Sequence, residues 1–251
     1  MFEASRLKIR RAGHHVRELK AALETYCKSS FCRIGVDAAT KDGAPAVRME
    51  RTRELPGEIP LMLGDAIHNL RSSLDLMACA LVRSGGRQPT RFTRFPIELS
   101  REKFVATLDG GAIKAARPDL ADFLVDTIRP YKGGDDALSN LNDLDLDERH
   151  KLIVPDIAVV ALHNVAVKSE ARGASKIGKL EIGPHGVFRV DEALGRVEIT
   201  SYQDASFQAL FDATSAYAGQ PIVPTLHLLA QQVAGVVDSI QQAAEAAKKG
   251  G

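Results

Sequence analysis

Three polar side chains near residue 70 have the types and the spacing needed for acid–base chemistry. Apolar residues recur every three to four positions over residues 59–82, which predicts a long helix with one side facing the core. His68, Arg71 and Asp75 stand at i, i+3 and i+7 of that helix and are expected to share its other side. An imidazole, a guanidinium and a carboxylate would then converge on one patch.

A second polar segment carries groups that could complete such a site. Leucines at helical spacing over residues 135–154 predict a helix that Pro155 terminates, and its last turns hold Glu148 and His150. The candidate catalytic residues are His68, Arg71, Asp75 and His150. The candidate binding residues are Asn69, Ser72, Asp147, Glu148, Arg149 and Lys151.

Together these groups are the parts of a metal-independent ribonuclease. A neutral imidazole accepts a proton near pH 7, an arginine stabilises negative charge on a phosphate, and a carboxylate orients either group. Such an enzyme must activate a ribose 2′-hydroxyl and stabilise a pentavalent phosphorane. The hypothesis requires the two predicted helices to touch.

A purely structural role explains the same residues. Arg71 and Asp75 are one helical turn apart and can form a salt bridge, which Glu148 or Asp147 would extend. His68 would then brace this network. Because structural ion-pair networks resemble active sites, both interpretations stay open at the level of sequence.

The sequence gives little support for a metal or a cofactor. His14 and His15 are adjacent, and neighbours on a helix point about 100° apart, so the two rings do not easily face one ion. We find no Gly-rich phosphate loop and no Gly-x-Ser-x-Gly elbow. We therefore expect no cofactor and no metal ion.

The periodicity of the chain predicts an α+β protein, mainly α, whose helical core positions these groups. This core is expected over residues 1–28, 57–154 and 221–247. A β-hairpin is expected over residues 30–53, because two short apolar runs flank an Asp-Gly turn. Since neither a repeat nor a clear linker interrupts it, the chain 1–251 is predicted to form a single domain.

A small antiparallel β excursion is expected before the C-terminal helix, over residues 156–202. Its first part, residues 156–167, is apolar with alternating elements and favours strand over helix. Residues 176–200 then predict three short strands joined by tight turns, the first of them at residues 183–186.

Composition limits the possible partners and compartments. The 251 residues carry a formal net charge of +1, which gives no overall attraction to nucleic acid, so any such binding must come from a local basic face. The first residues lack the apolar core of a signal peptide, and no later run approaches the span of a membrane helix. We expect a cytoplasmic protein with no membrane contact.

Two short segments resemble a group of bacterial proteins. His68-Asn69-Leu70-Arg71-Ser72-Ser73-Leu74-Asp75 matches a pattern that reads roughly His-Asn-Leu-Arg-Ser-Ala-Leu-Asp-His. Asp147-Glu148-Arg149-His150-Lys151-Leu152 resembles the second pattern, Asp-Lys-His-Arg-Leu. The first pattern is in turn similar to the Arg-x4-His signature of HEPN domains. These are helical modules that often dimerise and often act as ribonucleases in toxin and phage-defence systems.

The resemblance implies a HEPN-like helical core and a homodimer, since HEPN signature arginines commonly meet at a two-fold interface. Leu76 stands where the signature has its histidine. An aliphatic side chain cannot move a proton, so the resemblance implies either an inactive member or one that uses His68 or His150 instead.

The leading hypothesis is a HEPN-like protein that binds RNA or a protein partner through the face of His68, Arg71 and Asp75. Metal-independent endoribonuclease activity in a defence or toxin system is the chemistry this face would serve. The alternative is a non-catalytic dimeric scaffold or interaction protein whose polar cluster locks two helices together.

Overall fold

The computed structural model describes residues 1–37, 46–169, 171–183, 188 and 197–249. By its internal contacts the chain divides into two compact units. The helical unit comprises Met1–Ala21, Gly57–Val154 and Asp212–Gly251, and the β unit comprises Ala22–Pro56 and Pro155–Phe211. The prediction of one domain over residues 1–251 stays a prediction.

Helix α2 (Glu58–Ser84) forms the core of the helical unit and carries the motif around His68. Its predicted apolar side is completely buried, and the residues concerned include Leu63, Ile67, Leu70, Leu74, Met77 and Leu81. Burying one such side chain stabilises the fold by about 1.5–3 kcal/mol. Helices α4 (Ala112–Ala116), α6 (Asp136–Glu148) and α7 (Ile222–Lys249) pack against α2, so its polar positions are held rigidly.

The remaining helices lie within the ranges predicted for the helical core, except that α7 ends two residues beyond residue 247. Helix α1 (Glu3–Lys28) opens the chain, and α7 closes the described part of it. Helix α3 (Arg101–Asp109) begins after Ser100, whose hydroxyl accepts a hydrogen bond from the backbone N–H of Lys103 and caps the helix. A 3₁₀ turn (Pro118–Leu120), α5 (Ala121–Phe123) and a π-helical turn (Leu124–Ile128) then lead to α6.

Helix α6 ends earlier than predicted. The sequence predicts a helix up to Pro155, but α6 stops at Glu148, so His150 and Lys151 lie beyond its end. The reason is local: the carbonyl of Asp147 accepts hydrogen bonds from the backbone N–H groups of both His150 and Lys151. The Glu148 carboxylate then accepts from the N–H of Ile153, which turns the chain away from the helix axis.

Strands β1 (Cys32–Asp37) and β2 (Ala46–Arg51) of the β unit pair in antiparallel fashion. They confirm the strands of the predicted hairpin, whereas its Asp-Gly turn lies outside the described residues. Strand β3 (Asp156–Ser169) confirms the strand expected over residues 156–167. Strand β4 (Gly173–Glu181) pairs with β3, also antiparallel.

The predicted β excursion is too short. It was expected to end at residue 202, but after β5 (Val197–Ser201) a further strand, β6 (Asp204–Leu210), pairs antiparallel with β3. Residues 204–209 alternate between polar and apolar types, as in a half-buried strand, but they lie beyond the end of the predicted excursion. Between the predicted turn at residues 183–186 and β5, only Phe188 is described, and it is buried in the core of the β unit.

The fold is therefore α+β and mainly α, with about 52% of the described residues in helices, 21% in strands, and small antiparallel sheets. No helix within the described ranges is both long and apolar enough to cross a membrane.

Candidate functional site

His68 forms the clearest contact between the two predicted polar segments. Its Nδ1 lies 3.0 Å from Oδ1 of Asp145 on α6. Because a carboxylate only accepts hydrogen bonds, Nδ1–H is the donor, and in the neutral ring Nε2 is then the acceptor. The Oγ of Ser72 lies 3.2 Å from that Nε2, one turn further along α2. The ring is thus fixed in one tautomer, with its basic nitrogen on the outer side.

Burial differs sharply between the two partners. The His68 side chain is 56% exposed, whereas the Asp145 side chain is only 2% exposed. Arg149, one turn beyond Asp145 and directly after the end of α6, forms an ion pair with the other oxygen of this carboxylate. A buried carboxylate with both oxygens engaged can hold an exposed imidazole in place.

Asp145 is the residue that the sequence interpretation missed. Its signal is the spacing: Asp145 stands at i+4 and i+7 from the buried Leu141 and Leu138, on the apolar side of α6. An acid on the buried side of an amphipathic helix needs a partner, and His68 and Arg149 supply it.

Arg71 is part of a second, separate network. Its side chain is 8% exposed, and its Nη1 lies 2.6 Å from Oδ1 of Asp75. Nη2 donates to the carbonyl of Phe95 (2.9 Å), and Nε donates to Oδ1 of Asn142 (3.2 Å). The backbone N–H of Phe95 returns a hydrogen bond of 2.9 Å to the same Asp75 oxygen. The expected Arg71–Asp75 salt bridge is present, but Asn142 takes the place predicted for Glu148 or Asp147.

Asn69 and Lys151 hold other parts of the helical unit together. Asn69 is buried, donates to the carbonyl of Asp65 and accepts from Nζ of Lys8. Lys151 donates to Oγ1 of Thr214. Their contacts place neither of them in the His68 network.

His150 is exposed beyond the end of α6 and makes no side-chain hydrogen bond or ion pair with any residue that the structure describes. Asp147 contributes its backbone carbonyl to the turn there. The structure therefore joins His68 to α6 through Asp145 and leaves His150 outside that contact.

Glu148 lies where α6 approaches α2 closely. A Cβ at Gly64 would collide with the Glu148 carboxylate, so only glycine at position 64 leaves room for this side chain as placed. Burial raises the pKa of Glu148, and the nearby carboxylates of Asp65 and Asp145 raise it further. Three carboxyl groups, those of Glu148, Asp65 and Asp145, therefore lie near one another at this edge of the site.

The Ser72–His68–Asp145 order is also that of a nucleophilic relay. Acyl transfer needs backbone donors for an oxyanion next to the nucleophile. Ser72 lies in the interior of α2, where backbone N–H groups are engaged in the helix, so α2 itself offers no oxyanion hole. The arrangement is better suited to proton abstraction by His68 than to attack by Ser72.

Neither a metal-binding cluster among the described residues nor a known relative helps to assign a function to this site. No group of three or more His, Cys, Asp or Glu side chains in the described part of the chain is placed to hold a metal ion. Comparison with models of protein families, with curated proteins and with solved structures found no match.

Proposed function

We propose that this chain is a HEPN-like RNA-binding protein in which His68 acts as the general base of metal-independent RNA cleavage. The observation that supports this proposal is the contact of His68 Nδ1 with the buried Asp145 at 3.0 Å. It keeps a basic Nε2 at the outer side of an exposed ring, as an acid–base catalyst requires.

In the proposed reaction, Nε2 of His68 takes the proton of a ribose 2′-hydroxyl. The 2′ oxygen attacks the adjacent phosphorus, and the bond from phosphorus to the 5′ oxygen breaks. The 5′ oxygen takes a proton from water, and the hydroxide so formed takes the proton back from Nε2 of His68. A 2′,3′-cyclic phosphate and a 5′-hydroxyl are the products. Ser72 must release Nε2 before the 2′-hydroxyl binds there. Arg149, which is exposed just beyond the end of α6 and pairs with the Asp145 carboxylate beside His68, is the proposed phosphate contact.

The HEPN-like core, the homodimer, the cytoplasmic location and the role in defence follow from the sequence resemblance and composition and belong to the same proposal. The helical unit agrees with it in one respect: a long central helix carries the His-Asn-Leu-Arg motif. Arg71 is a positioning residue in this proposal, because three of its N–H groups are bonded to Asp75, Asn142 and Phe95 and no hydrogen bond joins it to His68.

The test is cleavage of end-labelled single-stranded RNA in EDTA by wild type, His68→Gln and His227→Gln. His227 is an exposed histidine on α7 and serves as the matched control. We expect cyclic-phosphate products from wild type and from the control, and a loss of about 100-fold or more in His68→Gln. Absence of cleavage by wild type, or equal cleavage by His68→Gln, would contradict the proposal.

The second candidate function is a non-catalytic dimeric scaffold. The closed network of Arg71, Asp75, Asn142 and Phe95 favours it, since these groups already bond to one another. This alternative predicts no cleavage under any condition together with a concentration-independent dimer in sedimentation equilibrium. A monomer would argue against it.

A further inference from the structure

A cavity of about 460 Å³ lies next to the buried Arg71, between α2, the loop before α3, and the start of α4. This volume is within the range of about 300–1,000 Å³ that is usual for small-molecule sites. The lining residues that bear on its chemistry are Arg71, Arg94, Thr90, Phe92, Glu98 and Thr107. All of them belong to the helical unit.

Two arginines give the cavity its cationic side. The guanidinium of Arg71 has five N–H groups, of which three are bonded to Asp75, Asn142 and Phe95. Two N–H groups remain on a side chain that is 8% exposed and borders the cavity. Arg94 is exposed and forms neither a hydrogen bond nor an ion pair with the described part of the chain. Both arginines are suited to an anionic group such as a phosphate.

An aromatic ring borders the same cavity. Phe92 is 75% exposed, which is unusual for a large apolar side chain. The guanidinium of Arg91 covers one face of its ring, 4.7 Å from the centroid. The ring keeps a large exposed area, and bases stack on exposed aromatic side chains.

Glu98 adds an acceptor to the lining. One of its carboxylate oxygens accepts a hydrogen bond of 2.9 Å from Oγ1 of Thr107. A carboxylate can accept several hydrogen bonds, so Glu98 retains capacity for a sugar hydroxyl or an exocyclic amine. A carboxylate would repel a simple anion, and a ligand that carries both a phosphate and hydroxyl donors fits this lining better.

We propose that this cavity binds one nucleotide unit, with its phosphate on Arg94 and Arg71 and its base on Phe92. The unit is either a free nucleotide or one residue of an RNA strand. Neither His68 nor Asp145 lines the cavity, so this site is separate from the proposed site of cleavage.

Titration calorimetry tests the proposal with AMP, adenosine, inorganic phosphate and a short 2′-O-methyl oligoadenylate, which cannot undergo 2′-hydroxyl cleavage. The variants are Arg94→Glu and Phe92→Ala. Their matched controls are Arg87→Glu and Leu99→Ala, exposed residues of the same loop that do not line the cavity. Since binding is measured without cleavage, failure of this proposal is distinguishable from failure of the proposed ribonuclease.

We expect saturable binding of AMP that is tighter than binding of adenosine or phosphate. Arg94→Glu should raise the Kd about tenfold or more, and Phe92→Ala about fivefold or more. Both controls should stay within about twofold of wild type. If Arg94→Glu and Phe92→Ala weaken binding of the oligoadenylate, while AMP shows no such effect, the cavity is assigned to a nucleotide within a strand. No saturable binding of either ligand, or equal weakening by the controls, overturns the proposal.

Discussion

Arg71 and Asp75 form an ion pair of 2.6 Å on α2 that closes around the backbone of Phe95. The carbonyl of Phe95 accepts from Arg71, and its N–H donates to Asp75. The pair therefore fixes the loop between α2 and α3 to the central helix. One salt bridge thus orders both the predicted site and the wall of the cavity beside it.

This relationship predicts a large loss of stability in Arg71→Ala. The variant leaves the Asp75 carboxylate and the Phe95 carbonyl without their partner in a mostly buried place, so we expect the free energy of unfolding to fall by about 3 kcal/mol. Urea unfolding followed by circular dichroism measures it. Arg83→Ala, an exposed arginine of the same helix, is the control and should change stability by less than about 0.5 kcal/mol. Equal losses of stability in Arg71→Ala and Arg83→Ala would contradict this structural role of Arg71.

Asp145→Asn is predicted to impair the proposed cleavage more than it impairs the fold. An amide can donate to Nδ1 and favour the wrong tautomer of His68, so we expect the cleavage rate to fall about 100-fold or more. Asp143→Asn on the same helix makes the same chemical change away from His68 and should retain the rate. Far-ultraviolet circular dichroism checks that both variants are folded. A wild-type rate in Asp145→Asn would exclude Asp145 from this role.

The helical elements could be predicted from sequence because their signals are local. The apolar repeat of α2 and the Ser100 cap of α3 identify buried faces and helix starts without any knowledge of neighbours. Strand β6 also has a local signal, the alternation of polar and apolar residues over 204–209. Its place in the sheet has no such signal, because its pairing with β3 depends on residues more than 40 positions away in the chain.

In the candidate site, too, contacts within one helix could be predicted and contacts between distant segments could not. The Arg71–Asp75 pair could be predicted from the i, i+4 spacing within one helix. The partner of His68 could not be chosen among the polar residues of the second segment, because the rotation of α6 against α2 decides which one faces it. His150 was included on the assumption of a longer helix, and the turn at Asp147 ends that helix.

The raised pKa of Glu148 predicts how its replacement acts with pH. Burial makes the folded state hold the carboxyl proton more tightly than the unfolded state does, so stability falls as pH rises from the ordinary Glu value through the raised one. Glu148→Gln does not titrate and can still accept from Ile153. We expect its stability relative to wild type to increase between about pH 4 and pH 7, as measured by urea unfolding at each pH.

The control for this experiment is Glu102→Gln, whose stability relative to wild type is expected to change with pH in the opposite direction. Hydrogen bonds from its own backbone N–H and from the Ser100 hydroxyl lower the pKa of Glu102, so its contribution is lost as pH falls through that lowered value. Glu102→Gln should therefore lose stability relative to wild type as pH rises to the ordinary Glu value, and the difference should stay level above it. A flat difference between Glu148→Gln and wild type would show that the Glu148 carboxyl is well solvated in solution.

The close approach of α2 and α4 predicts the effect of a methyl group at Gly85. A Cβ there would fall onto the backbone carbonyl of Ala116, which cannot move away as a flexible side chain could. Gly85→Ala should therefore lower the free energy of unfolding by about 1–3 kcal/mol. Gly57, at the other end of α2, has φ −62°. Apart from its own chain neighbours, no atom in the described part of the chain lies within 4 Å of the place that an alanine methyl group would take. Gly57→Ala should be neutral or stabilising by about 0.4–1 kcal/mol. Denaturant unfolding of the two alanine variants compares them directly, and a neutral Gly85→Ala would mean that α2 and α4 lie further apart.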